Sequence, residues 1–201
     1  MSTITAEKVK QLRDKTGAGM MDCKAALQEA NGDFEEAVSV LRKKGIATAA
    51  KKAGRAAGEG VITSYIHTGG KIGVLVEINC ETDFVARTPE FQAMAHDIAV
   101  QIAAMNPQWK SREEVPADLL NKEREILLAQ LADTNKPDKV KQQIVEGRLE
   151  KWYTENVFTD QPFVHDESKK MSQYITEHIA KFGENIVVRR YVRYKLGETG
   201  D

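Results

Sequence analysis

The segment from Glu81 to Arg87, ETDFVAR, sets a carboxylate and a large aromatic, Asp83 and Phe84, directly after a run of alternating apolar residues ending at Cys80. At the exit from a rigid sheet this pair can form a projecting apolar tip. The competing disposition packs Phe84 under the following helix and uses Asp83 to cap a turn, and the residues alone leave both open. A second segment, TGAGMMDCK, puts Met20 and Met21 after a glycine turn. Consecutive helical residues point in different directions, so at least one methionine faces solvent. Exposed methionine marks a partner surface.

Covalent chemistry finds little support. Cys23 and Cys80 are the only cysteines, one on the inner stripe of a helix and one on the buried face of a strand, where thiols are inert. They lack the spacing of a zinc site or a disulfide framework, and a reduced cytosol suits them. Of the four histidines, His178 lies on an apolar helical stripe beside Ile175 and Ile179 and reads as a packed core residue. His96 is also helical, and His165 has no evident companion. His67 differs, because a turn between strands leaves it available to a partner. The glycines of TGAG and HTGG match no phosphate-binding loop. Glu35 and Glu36 read as electrostatics at a helix start. The residues predict neither an enzyme nor a cofactor or metal site.

The chain of 201 residues can bury roughly 70% of its unfolded surface, enough for a core without staples. Its 29 basic and 30 acidic residues give a net charge of −1, which removes the overall attraction that nucleic-acid binders use. No apolar run approaches the ~18 residues of a membrane span, and the N-terminal residues are polar from the start, so neither export nor a membrane is expected.

Three short helices are predicted first. Thr5 caps one that carries Val9 and Leu12 and stops at Gly17. The next runs through Cys23, Ala26, Leu27 and Ala30 to Asn31 and Gly32. The third opens on Asp33 and Glu36 at capping-box spacing, with Phe34, Ala37, Val38 and Leu41 as its stripe. They form a small module over residues 1–45. Residues 46–57 form a helical linker, and the stretch from Arg42 to Arg55 carries six basic residues and no acidic ones. No aromatics interleave the charges, so a solvated or partner-facing surface is favoured over a nucleic-acid patch.

The rest, 58–201, reads as a sheet domain. GEGVITSYI and KIGVLVEINC are strands joined in a hairpin by His67, Thr68, Gly69 and Gly70. Ile72, Val74, Val76, Ile78 and Cys80 share one face of the second strand. A helix from Thr88 and Pro89 to Asn106 and Pro107 offers Phe91, Met94, Ala95, Ile98, Ile102 and Met105 as cover. A third strand carries Ile186, Val188, Val192, Tyr194 and Leu196 on one face, interrupted by Arg190. Between them, about 116–152, two polar helices separated by Asp133 to Pro137 form an antiparallel hairpin with Leu120, Leu127 and Leu131 meeting Val140, Ile144, Val145 and Leu149, a narrow coiled-coil seam. A last helix is predicted from Ser168 to Gly183, with Met171, Tyr174, Ile175, Ile179 and Phe182 inward. The fold class is α+β with a three-stranded antiparallel sheet.

TGAGMMDCKAAL, NGDFEEAV, VLVEINCETDFVAR, and VEGRLEKW followed by QPFV stand in the order of the elongation factor Ts family, which the sequence resembles over almost its whole length. The resemblance implies an N-terminal module similar to a ubiquitin-associated domain, a core domain with an inserted coiled coil, and cytoplasmic guanine-nucleotide exchange on elongation factor Tu. It further implies that Thr82, Asp83, Phe84 and Val85 dislodge magnesium from the GDP-bound partner. Arg13, Met20 and Met21 would contact the partner's nucleotide domain, and His67 another of its domains. The long family form has two core subdomains and a further C-terminal module. The single subdomain here resembles the compact form, which implies a homodimer through sheet packing by the final strand. Val192 stands in that strand and no cysteine does, so no disulfide joins the chains there. A passive scaffold that binds without accelerating release is the alternative function.

Overall fold

Thr5, Gly17 and Asp33 fix the first helix ends as their side chains and backbone freedom dictate. In the computed structural model, which describes residues 4–132 and 134–198, helix α1 (Ala6–Thr16) begins where the Thr5 hydroxyl accepts from the Lys8 amide at 3.2 Å. It ends at Gly17, whose φ of 68° is left-handed. Helix α2 (Met20–Glu29) follows, then α3 (Phe34–Lys52), whose N-cap Asp33 accepts from the Glu36 amide at 2.8 Å. Val9, Leu12, Cys23, Ala26, Leu27, Ala30, Ala37 and Val40 form one buried cluster among these helices. On α3 the deep positions are Ala37 and Val40, while Phe34, Val38 and Leu41 lie at the cluster's margin. Helix α3 continues without a break past residue 45 to Lys52.

Strands β1 (Glu59–Ile66) and β2 (Ile72–Cys80) form the expected hairpin, closed where the His67 amide donates to Ile72 O at 2.9 Å. A four-residue helix α4 (Asp83–Ala86) leads to α5 (Pro89–Met105). Helices α6 (Ala117–Ala129) and α7 (Asp138–Asn156) follow, then a short antiparallel pair, β3 (Pro162–Phe163) and β4 (Asp166–Lys170). Helix α8 (Met171–Phe182) and strand β5 (Val187–Lys195) come next. The main sheet has the order β1-β2-β5, so β2 is central and the fold is α+β.

The last helix starts at Met171 rather than Ser168. The Asp166 carboxylate accepts from the Ser168 amide and hydroxyl at 3.2 and 2.6 Å, and residues 166–170 pair with β3 instead of coiling. Side-chain capture in an extended segment outweighed the helical spacing there.

The chain gathers into two compact units, the first from Met1–Thr63, Val76–Asp97 and Gln173–Tyr191, the second from Ser64–Leu75, Ile98–Ser172 and Val192–Asp201. In the first unit Val76, Ile78 and Cys80 are buried, as are Phe91, Met94 and Ala95 of α5. Phe91 packs its ring against Phe182 at 5.9 Å. Tyr174 donates to Asp97 at 2.7 Å, and this contact, with burial as the larger cause, pushes the phenol's pKa up.

In the second unit the buried amides Gln101 and Gln161 tie several segments together. Gln161 donates to Met105 O and Glu155 O at 3.2 and 3.0 Å, and Gln101 donates to Pro162 O at 3.1 Å while accepting from the Val164 amide at 2.9 Å. Leu127, Leu131, Val145 and Leu149 form the seam between α6 and α7, with Ile144 at its edge. Arg124–Glu146 and Arg148–Gln130 contacts across the pair run antiparallel. Leu120 is half-buried and Val140 is exposed, outside the seam. Asp133 of the predicted turn lies outside the described residues. At the base of α7, Arg112 bridges Glu150 and the buried Asp160, and its guanidinium lies over the Tyr153 ring at 4.2 Å. Its hydrogen bond to Asp160 holds that carboxyl below its ordinary range, against the effect of burial.

Two glycines of the first unit give opposite predictions. A Cβ on Gly45, in the interior of α3, would rest 3.7 Å from Ala180 Cβ, an ordinary contact. A Cβ on Gly60, at φ +143°, would lie 2.1 Å from Ile78 O on the neighbouring strand. Gly45→Ala therefore raises the urea unfolding free energy by about 0.5–1 kcal/mol, and Gly60→Ala lowers it by about 2 kcal/mol or more.

Candidate functional site

The segment after β2 is held at both ends and bare in the middle. Cys80 is buried and its thiol donates to Thr82 O at 3.1 Å. Thr82 is the N-cap of α4, with extended backbone (φ −129°, ψ 152°), and its hydroxyl accepts from the Val85 amide at 3.4 Å. Beyond α4, the Thr88 hydroxyl donates to Val85 O at 2.8 Å and accepts from the Phe91 amide at 3.2 Å, while Gln92 donates to Ala86 O at 2.7 Å. Ala86 is buried and Val85 half-buried.

Between these anchors Phe84 is 81% exposed. The alternative that packs it beneath the next helix does not occur, because Phe91, seven residues on, is the aromatic that enters the core. Asp83 is a first-turn residue of α4, not the cap, and its carboxylate pairs with Arg87 one turn on at 2.9 Å. An apolar ring and a partly exposed carboxylate thus stand side by side on one short helical turn.

The backbone that enters the turn is fixed from a distant part of the sequence. The Glu184 carboxylate accepts from the amides of Glu81 and Thr82, each at 3.1 Å, and from the Thr82 hydroxyl at 2.6 Å. Glu81 accepts in turn from the Asn185 amide at 2.7 Å. That bond is the main reason its carboxyl is held below the ordinary range, with Arg55 at 3.4 Å adding to it. The Asn185 amide group donates to Ala53 O and Arg55 O, beyond the end of α3. These partners lie some hundred residues apart in sequence, and no local pattern marks them.

Also in the first unit, Met20 and Met21 are 44% and 76% exposed at the start of α2, so both methionines face solvent. Gly17 and Gly19 shape the turn before them, and the Cys23 thiol lies 3.7 Å from Ala18 O, which it can reach as donor. Arg13 lies exposed in the last turn of α1. His67 belongs to the second unit, exposed in the β1–β2 turn with Nδ1 3.0 Å from the Tyr65 hydroxyl. The structure thus sets Arg13, Met20, Met21 and Thr82 to Val85 in one unit and His67 in the other.

Of the other thiols and histidines, His96 is exposed on α5. Burial pushes both thiols' pKa up, away from the thiolate. His178 packs against Tyr174 with ring centroids 4.4 Å apart, its Nδ1 lies 2.8 Å from Tyr174 O, and burial holds its pKa below the ordinary value. The His165 ring meets the edge of Phe163 at 5.3 Å. Among the described residues no cluster of three or more His, Cys, Asp or Glu could hold a metal, and no helix is long and apolar enough to cross a membrane.

Comparison with known proteins accounts for nearly the entire chain. The family model described as elongation factor TS matches residues 2–198. A protein named elongation factor Ts from Anaeromyxobacter sp. (strain Fw109-5) is 61% identical over 198 residues, covering 98% of this chain and 90% of that one. Those of Syntrophomonas wolfei and Moorella thermoacetica are 59% and 57% identical over 195 residues, covering 97% of this chain and 91% and 96% of theirs. With a family match from end to end and identity at this level, the chain belongs to the elongation factor Ts family.

Proposed function

We propose that this protein is a cytoplasmic guanine-nucleotide exchange factor for elongation factor Tu, acting through binding and without covalent chemistry. Family membership supports the role, and the observation that carries the mechanism is Phe84, 81% exposed on a turn whose two ends are hydrogen-bonded into the fold. A large aromatic held bare in this way costs solvation that a partner's pocket would recover.

Guanine nucleotides leave such partners slowly, because backbone amides, a lysine and magnesium hold the phosphates together. In this reading Phe84 wedges apolar surface into the GDP-bound partner while Asp83 disturbs the polar network around the magnesium. Thr82 and Val85 supply the frame. Arg13, Met20 and Met21 anchor the partner's nucleotide domain, and His67 contacts another of its domains. GDP then leaves and GTP can bind. The module of residues 1–45 acts as a ubiquitin-associated-like docking element, joined by the linker 46–57 to the core of 58–201. The hairpin of about 116–152 is a coiled-coil arm. No direct contact with nucleic acid is required.

Stopped-flow release of a fluorescent GDP analogue from purified elongation factor Tu tests the mechanism. The wild-type chain should accelerate release, and Asp83→Ala/Phe84→Ala should lose about tenfold or more of that acceleration. Full acceleration by the double variant would remove the wedge. Binding with no acceleration by the wild type would leave a passive scaffold.

The acting form is a homodimer. In the second unit Ile66, Leu75, Val192, Tyr194 and Leu196 are exposed. Ile66 reaches over Gly73 and lines one shallow depression with Tyr194 and Leu196. This open sheet face suits packing against its own copy, and Tyr194 and Leu196 are its most exposed apolar residues at 72% and 76%. Light scattering should give about twice the chain mass for the wild type and the chain mass for Tyr194→Asp/Leu196→Asp. A monomeric wild type would contradict it.

A further inference from the structure

Helix α4 has only four residues, far too few to persist by its own hydrogen bonding. Something outside it must hold its first turn. Phe84 cannot, because its ring is almost bare, so the backbone sets the Cα–Cβ direction from which that ring projects. The entry to the turn has three donors that would otherwise lack partners in the sheet or helix: the Glu81 and Thr82 amides and the Thr82 hydroxyl. All three converge on the single Glu184 carboxylate, at 3.1, 3.1 and 2.6 Å.

The hydroxyl contact has a directional consequence. By donating its proton to Glu184, the Thr82 Oγ1 must turn a lone pair elsewhere, and it accepts from the Val85 amide, which closes the cap of α4. The chain of contacts runs from Glu184 through Thr82 to Val85, with Asp83 and Phe84 enclosed within it. Glu184 is itself held. Gly183 before it takes the left-handed conformation at φ 68°, its carbonyl accepts from Lys52 Nζ at 2.5 Å, and Asn185 after it is buried and bonded to Ala53 O and Arg55 O. Glu81 completes a reciprocal exchange by accepting from the Asn185 amide.

We infer that Glu184 is a positioning residue for the Asp83–Phe84 tip, fixing through Thr82 the direction in which the aromatic is presented to the nucleotide-binding partner. This rests on the reading of the tip as the exchange element. A carboxylate suits the task because it has acceptor sites for all three donors, which a carboxamide oxygen cannot serve together in the same geometry. Glu184 acts behind the tip, so its loss lowers the rate from the bound complex more than it weakens binding.

The test uses the full chain and stopped-flow release of a fluorescent GDP analogue, titrated to a plateau, for wild type, Glu184→Gln, Glu184→Ala, Phe84→Ala and Phe84→Ala/Glu184→Ala. The plateau rate should fall in the order wild type, Gln, Ala, reaching about tenfold or more for Ala, with a smaller change in the concentration giving half the plateau. In the Phe84→Ala background, adding Glu184→Ala should bring little further loss, because both changes disable one element. Urea unfolding shows whether Glu184→Ala remains folded at the assay temperature, and Glu184→Gln, with its smaller perturbation, carries the comparison where it does not.

Wild-type exchange by the Glu184 variants, alongside impaired Phe84→Ala, would overturn the positioning role and leave the tip standing. Fully additive losses would also overturn it, since they would mean that Glu184 acts independently of Phe84. Wild-type exchange by Phe84→Ala would overturn the tip itself, and this inference with it.

Discussion

Strand β2 lies between β1 and β5, and its alternate residues Val74, Val76, Ile78 and Cys80 are buried. A central strand has to end somewhere, and the amides that follow it lose their ladder partners at the point where the chain turns. Here those amides meet Glu184, and the chain leaves the sheet in a fixed direction. The short helix that follows exists because of this capture and because Thr88 and Gln92 hold its far end. In the proposed reading, that frame sets the direction from which Phe84 projects.

In the proposed reading, this frame is what lets the protein act on its partner's nucleotide by binding. Removing a tightly held nucleotide needs a binding surface that is complementary to the open partner and stiff enough not to yield to the closed one. A flexible tip would accommodate both states and shift nothing. The structure concentrates hydrogen bonds immediately before and after the bare residue, which is where stiffness has the largest effect. Met20 and Met21 have the opposite character, exposed and adaptable, and in the proposed reading they grip the partner rather than displace anything.

Much of the fold was legible because its signals are local. Thr5, Gly17, Asp33 and Pro89 mark helix ends by capping and backbone freedom, and the alternation from Val74 to Cys80 marks the central strand. The exposure of Phe84 was not decidable locally: the helical stripe marks Phe91 for the core, where it meets Phe182, but nothing in the sequence around Phe84 says whether a second aromatic packs beneath the same helix. The β3–β4 pair was missed because β3 is two residues long and polar residues 166–170 carry no alternation, while the helical spacing from Met171 onward extends naturally back to Ser168. Glu184 and Asn185 carry no local signal for a different reason. Their partners are a hundred or more positions away, and their own surroundings resemble an ordinary helix-to-strand turn.

Exchange by binding energy has a necessary counterpart. Any preference of this chain for the nucleotide-free partner must weaken the partner's hold on GDP by the same factor. The direct measurement is the affinity of the chain for elongation factor Tu, by calorimetry, with the partner nucleotide-free and with it saturated by GDP and magnesium. The account predicts markedly tighter binding to the nucleotide-free form, by at least about tenfold. Equal affinities for the two forms would contradict it, because a ligand that binds both states alike moves neither.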